Sequence, residues 1–159
     1  YLSNQISYKN NKLITFTEDE SITYNILTNS IDKSSITIDC DNKSFTLQIQ
    51  DIKTKYKWKK DLFNINSHIN AKITDYECKY DLNDINSLNK LEKLSTNHIS
   101  NEINNLIDKI KKDNNDVLGI ENYIYKHDKN YNKNNFKLNN IKNKNNIEFN
   151  IISTGEIRK

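Results

Sequence analysis

The chain reads as an α+β domain: an antiparallel β-sheet with a long helix and shorter helices packed on one face. Two patterns predict it. Ile85, Leu88, Leu91, Leu94, Ile99, Ile103, Leu106, Ile107 and Ile110 recur mostly at three- and four-residue steps. That spacing lines one face of a helix. From Ser35 to Tyr80, and again from Ile147 to Ser153, apolar and polar residues alternate instead. Alternation of this length suits antiparallel strands with one covered face, and the helices supply the cover.

The elements follow in order. Ile6 and Tyr8 alternate, Asn10-Asn11 suits a tight turn, and Leu13 to Phe16 resumes an extended run, so the chain opens on a hairpin. Thr17 with Glu20 spells a capping box for a helix reaching about Asn29, with Ile22, Ile26 and Leu27 on its buried face. Ile36 and Ile38 mark a short strand. Asp41-Asn42-Lys43 turns into a longer one bearing Phe45, Leu47 and Ile49, and Lys53 to Lys59 continues extended. After a turn at Lys60-Asp61, Ile65, Ile69, Ala71 and Ile73 alternate onward. Asp84 is placed to cap the long helix. A break containing Gly119 then precedes a short helix with Tyr123, Ile124 and Tyr125. Lys129 to Asn146, rich in Asn and Lys, is the least structured stretch by composition, pinned by Phe136, Leu138 and Ile141.

At 159 residues the whole chain, 1–159, is one domain with a single core. It has no methionine, so the chain is expected to be a fragment or a processed product rather than to start naturally at Tyr1. The 29 asparagines, 24 isoleucines and scarcity of Arg follow from an AT-rich codon bias, so many Asn and Lys are expected as surface filler. No run approaches the ~18 apolar residues of a membrane span. Net charge is +3, too small to imply nucleic acid. The six lysines between Lys126 and Lys144 form a solvated face or one attracted to anionic headgroups. Neither Arg nor stacking aromatics accompany them, which argues against nucleic acid.

Enzymatic signatures are absent. Cys40 and Cys78 lack metal-ligand spacing; the expectation is two semi-buried thiols, although a disulfide is geometrically open to them. His68, His98 and His127 have no second ligand at useful spacing. The two glycines, Gly119 and Gly155, rule out phosphate loops and adjoin no nucleophile. No catalytic, metal or cofactor site is expected. Two stretches are candidate interfaces instead. Tyr56 and Trp58 alternate with Lys53, Lys55, Lys57 and Lys59: a core aromatic face backed by wet lysines, or an aromatic docking face. Tyr123 and Tyr125 follow Gly119, whose expected role is to end a helix in a backbone shape other residues resist.

Several segments also resemble, in collinear order, the C-terminal domain of Ger(x)C proteins, the C subunits of nutrient germinant receptors. They are Ile6 to Ile14, Thr17 to Glu20, Asp81-Leu82-Asn83-Asp84-Ile85, Asp116-Val117-Leu118-Gly119-Ile120-Glu121-Asn122-Tyr123, and the close from Ile147 to Thr154-Gly155. Glu121 stands where the family often has a second glycine, Leu118 where it often has an aromatic, and its usual prolines are missing. The resemblance implies a non-enzymatic receptor-subunit domain that makes protein–protein contacts in spore germination. It also implies integral-membrane A and B subunits as partners, a lipid anchor outside this chain, and the outer face of the spore inner membrane as location. The alternative is a stand-alone extracytoplasmic lipoprotein domain binding a small ligand or an anionic surface.

Overall fold

The computed structural model describes residues 5–9, 12–30 and 33–152. Strands β1 (Gln5–Lys9) and β2 (Lys12–Phe16) pair antiparallel as a two-stranded ribbon. The Asn10-Asn11 turn lies outside the described residues. Helix α1 (Glu18–Leu27) begins at the foreseen capping box: Thr17 Oγ1 accepts from the Glu20 amide at 3.2 Å, and Glu20 Oε1 accepts from the Thr17 amide at 2.8 Å.

The main sheet has the order β3-β4-β5-β6, from β3 (Ser35–Cys40), β4 (Lys43–Lys59), β5 (Leu62–Tyr76) and β6 (Lys142–Ile152). Both hairpin turns have two residues at positive φ, Asp41 and Asn42 (49° and 69°) and Lys60 and Asp61 (54° and 58°). That geometry matches the right-handed twist of the flanking strands. The two extended stretches expected after Lys43 are one 17-residue strand, with register shifts at Thr46/Leu47 and Ile49/Asp51.

Strand β6 departs from the expected all-antiparallel sheet: it runs parallel to β5, Leu62 opposite Lys142 through Lys72 opposite Ile152. Between β5 and β6 the chain carries its two later helices, the kind of long crossover that parallel neighbours require. β6 also starts at Lys142 rather than Ile147, inside the stretch expected to be least ordered. Its first half faces a polar stripe of a helix instead of the core. Asn145 Nδ2 donates to Asn104 Oδ1 (2.9 Å) and to the Ser100 carbonyl (3.1 Å), and Asn143 Nδ2 donates to Asn104 Oδ1 (3.0 Å).

Helix α2 (Ile85–Asp113) starts where Asp84 accepts from the Asn86 amide at 3.2 Å. Leu91, Ile99, Ile103, Leu106, Ile107 and Ile110 are buried. Ile85, expected on that stripe, is 66% exposed, because burial along the helix begins only at Leu91. The inner face of the sheet supplies Phe45, Leu47, Phe63, Ile65, Ile69, Ile73 and Phe149 to the same core. Lys109 of α2 ties three elements together: its ammonium donates to the Thr15 carbonyl of β2 and lies 2.9 Å from Glu20 of α1. Burial would raise the Glu20 pKa, but the bonds from Lys109 and Thr17 hold it below the usual carboxylate value.

The cysteines are not free thiols: Cys40 and Cys78 form a disulfide, with Cα atoms 6.0 Å apart. Sequence spacing cannot reveal this pair. It arises because β3 pairs with β4 and β4 with β5, which brings the end of β3 beside the segment just past β5. The Glu77 amide donates to the Ser44 carbonyl there at 3.0 Å. Bridging residues 38 apart constrains the unfolded chain, a contribution of about 4 kcal/mol in the chain-entropy model. Cys40→Ala/Cys78→Ala is therefore expected to lose about 3–4 kcal/mol in urea unfolding, and a reductant should reproduce that loss in the parent chain but leave the variant unchanged.

Candidate functional site

The two stretches singled out in the sequence meet in space. Helix α3 (Ile120–His127) lies against the end of β4, and Tyr56, Phe63 and Tyr123 form an aromatic cluster. Tyr56 and Phe63 centroids are 4.9 Å apart; Tyr123 sits edge-on to both at 5.8 and 5.9 Å. His127 stacks on Tyr123 at 3.9 Å. Such edge-on packing places ring edges against negative ring faces and adds to simple burial.

Polar tips finish the seam. Tyr123 donates its hydroxyl to the Tyr56 carbonyl at 2.6 Å, and Trp58 Nε1 donates to Asp128 Oδ2 at 2.9 Å just past α3. Tyr56 donates its hydroxyl to the Leu27 carbonyl at 2.5 Å, at the end of α1. Beside it Thr54 Oγ1 donates to the Ile26 carbonyl at 2.8 Å. Asn29 clasps the Thr54 backbone in both directions, accepting from its amide at 2.7 Å and donating to its carbonyl at 2.9 Å. Tyr56, Trp58 and Tyr123 thus face inward and join helices to sheet. Tyr125 points the other way: it is 63% exposed, with Tyr131 edge-on at 5.4 Å.

Gly119 is left-handed, at φ 72°, but does not end the long helix. Asn114 does, with φ 49°. Gly119 instead begins α3, and it has no side chain to cap the helix. Asp116 does the capping, its two carboxylate oxygens each accepting at 2.8 Å, from the Ile120 and Glu121 amides. A Cβ on Gly119 would meet nothing within 4 Å, so only its backbone conformation favours glycine.

Below α3 a hollow is lined by Asn114, Asp116, Glu121, Phe136 and Leu138. Its acidic groups are already engaged, Asp116 as the cap and Glu121 accepting from the Tyr131 hydroxyl at 2.5 Å. That acceptor pushes the Tyr131 phenol up to about 12. His68, on the open face of the sheet, lies 3.6 Å from Glu148, and His127 Nδ1 is 2.7 Å from the Tyr123 carbonyl. Among the described residues no three His, Cys, Asp or Glu side chains gather as a metal site. No helix among them is long and apolar enough to cross a membrane.

The result is a helix-covered sheet domain in which polar side chains of one element bond backbone and side-chain groups of another. The profile of the Spore germination B3/GerAC-like C-terminal family matches residues 6–155, and the chain belongs to that family. Its fold is similar to the crystal structure of the GerBC protein, with TM-score 0.66 and 19% sequence identity. The match covers 89% of this chain and 48% of that one, so the chain spans about half the length of GerBC. A comparison with curated proteins finds no match.

Burial, and then the nearby Tyr24, push the Tyr56 phenol up to about 12. A raised phenol stabilises the fold fully below the unfolded value near 10, and that contribution disappears as pH rises toward 12. Unfolding midpoints measured across pH 9–12 should therefore fall more steeply in the parent chain than in Tyr56→Phe, which at neutral pH should be less stable by about 1 kcal/mol. Gly119→Ala should cost about 1–2 kcal/mol of backbone strain, seen as a lower thermal midpoint.

Proposed function

We propose that this chain is the C-terminal module, residues 1–159, of a nutrient germinant receptor C subunit, acting through protein–protein contact rather than catalysis. The observation that carries this reading is the family match across residues 6–155. The whole subunit would be held to the membrane by a lipid anchor outside this chain and would assemble with integral-membrane A and B subunits. The Cys40–Cys78 disulfide supports a position on the extracytoplasmic face of the spore inner membrane, since such bonds persist in oxidising compartments.

Of the four aromatic candidates, Tyr125 has the geometry of an interface anchor. It is exposed on α3, with Tyr131 beside it. Tyr56, Trp58 and Tyr123 would support that surface from within by fixing α3 on the sheet. Truncating an exposed aromatic anchor at an interface costs on the order of 2 kcal/mol. Tyr125→Ala in the full-length subunit should accordingly reduce co-purification of the A and B subunits about thirtyfold and slow nutrient-triggered germination, with the urea midpoint of the domain unchanged. Undiminished assembly would exclude the outer face of α3. Direct thermal stabilisation of the domain by a nutrient would favour the ligand-binding alternative instead.

A further inference from the structure

The face of the sheet opposite the helices is most basic at one end. Side chains point alternately to the two faces of a strand, so Lys53, Lys55, Lys57 and Lys59 share the face that Tyr56 and Trp58 avoid. The register brings Lys57 level with Asn64 and Lys144, and Lys59 level with Leu62 and Lys142. The parallel course of β6 therefore adds two lysines to the four of β4, at one end of one face. All six are exposed. Asn64, Asn66 and Asn146 lie among them; Glu148, level with His68 and Lys53, and Asp51 border the cluster, and Asp39 and Lys72 stand toward the other end of the same face.

No ion pair among the described residues accounts for these six clustered cations. The ion pairs among the described residues are His68–Glu148 and Lys109–Glu20, and neither involves these lysines. Successive same-face residues stand about 7 Å apart and β4 and β6 about 10 Å apart, spacings comparable with the Debye length at physiological salt. The charges therefore add to one field and repel one another. Guarding a free strand edge is not their task beside Thr54 and Tyr56, where Asn29 and the Tyr123 hydroxyl already occupy backbone groups of β4.

We infer that this lysine face rests on an anionic phospholipid surface. The charge is complementary, and a sheet face meets a planar partner without needing a groove. Lysines are mobile point charges on apolar stems, suited to a diffuse layer of headgroups. Reading nucleic acid would call for stacking rings or Arg, and the aromatic side chains of β4 are turned to the other face. The inference does not depend on the receptor reading, because attraction to a bilayer needs only this face.

The test is sedimentation of the chain with vesicles of phosphatidylglycerol and phosphatidylcholine, against vesicles of phosphatidylcholine alone. Binding is expected only to the anionic vesicles. It should be lost as salt rises from about 0.1 M to about 1 M, where the Debye length shrinks from about 10 Å to about 3 Å. Lys55→Gln/Lys57→Gln/Lys144→Gln should weaken partition by about a hundredfold, at about fivefold per lysine. Lys90→Gln/Lys93→Gln/Lys112→Gln on α2 removes the same charge from the other side and should bind nearly as the parent does. Equal loss in both variants would reduce the effect to net charge and overturn the inference. So would failure to bind anionic vesicles, or displacement from them by a single-stranded oligonucleotide at lower concentration than by added anionic vesicles. Thermal midpoints of the two variants identify any loss that comes from unfolding.

Discussion

The structure depends on what the inner face of β4 offers between Thr54 and Trp58. Three alternate residues turn hydrogen-bonding tips toward the helices. Thr54 and Tyr56 satisfy the Ile26 and Leu27 carbonyls at the end of α1, and Trp58 holds Asp128 beyond α3. The last carbonyls of a helix lack intrahelical partners, and a buried one left unmet costs about 1–3 kcal/mol. These bonds therefore fix where each helix can end on the sheet, not merely that it packs there. Burial by itself is non-directional and would allow the helices to slide.

Elsewhere the same device recurs with different residues. Asn104 of α2 accepts from both Asn143 and Asn145 of β6, and Lys109 joins α2 to β2 and α1. With 35% hydrophobic residues, the chain has a modest apolar reserve and sets its packing with side-chain amides, hydroxyls and the ammoniums of Lys109 and Lys111, the latter donating to the Ile141 carbonyl just before β6. Asparagine suits this because its amide both donates and accepts, as Asn29 does around Thr54.

Strand β4 consequently serves two surfaces. Its inner residues hold α1 and α3, and α3 in turn carries Tyr125 outward. Its outer lysines combine with those of β6 on the open face. One contact surface would lie on the helical side and one on the sheet side, separated by the thickness of the domain. In the proposed receptor role, the domain would meet protein through one and lipid through the other.

The sequence by itself determined the elements whose causes are local. The Thr17–Glu20 box, the Asp84 cap, the Lys60-Asp61 turn and the Leu91–Ile110 stripe each follow from residues within a few positions of one another. The family was legible for a related reason: its motifs recur in order along the chain. Tertiary structure alone decided the Cys40–Cys78 bond, the parallel course of β6, the inward commitment of Tyr56, Trp58 and Tyr123, and the gathering of lysines from two distant strands. Each is a pairing between segments remote in sequence, and periodicity states which side a residue faces without stating what will stand opposite. Asn143 and Asn145 make the point most plainly, because polar alternation that reads as loose surface becomes a strand once a helix presents Asn104 and Ser100 to it.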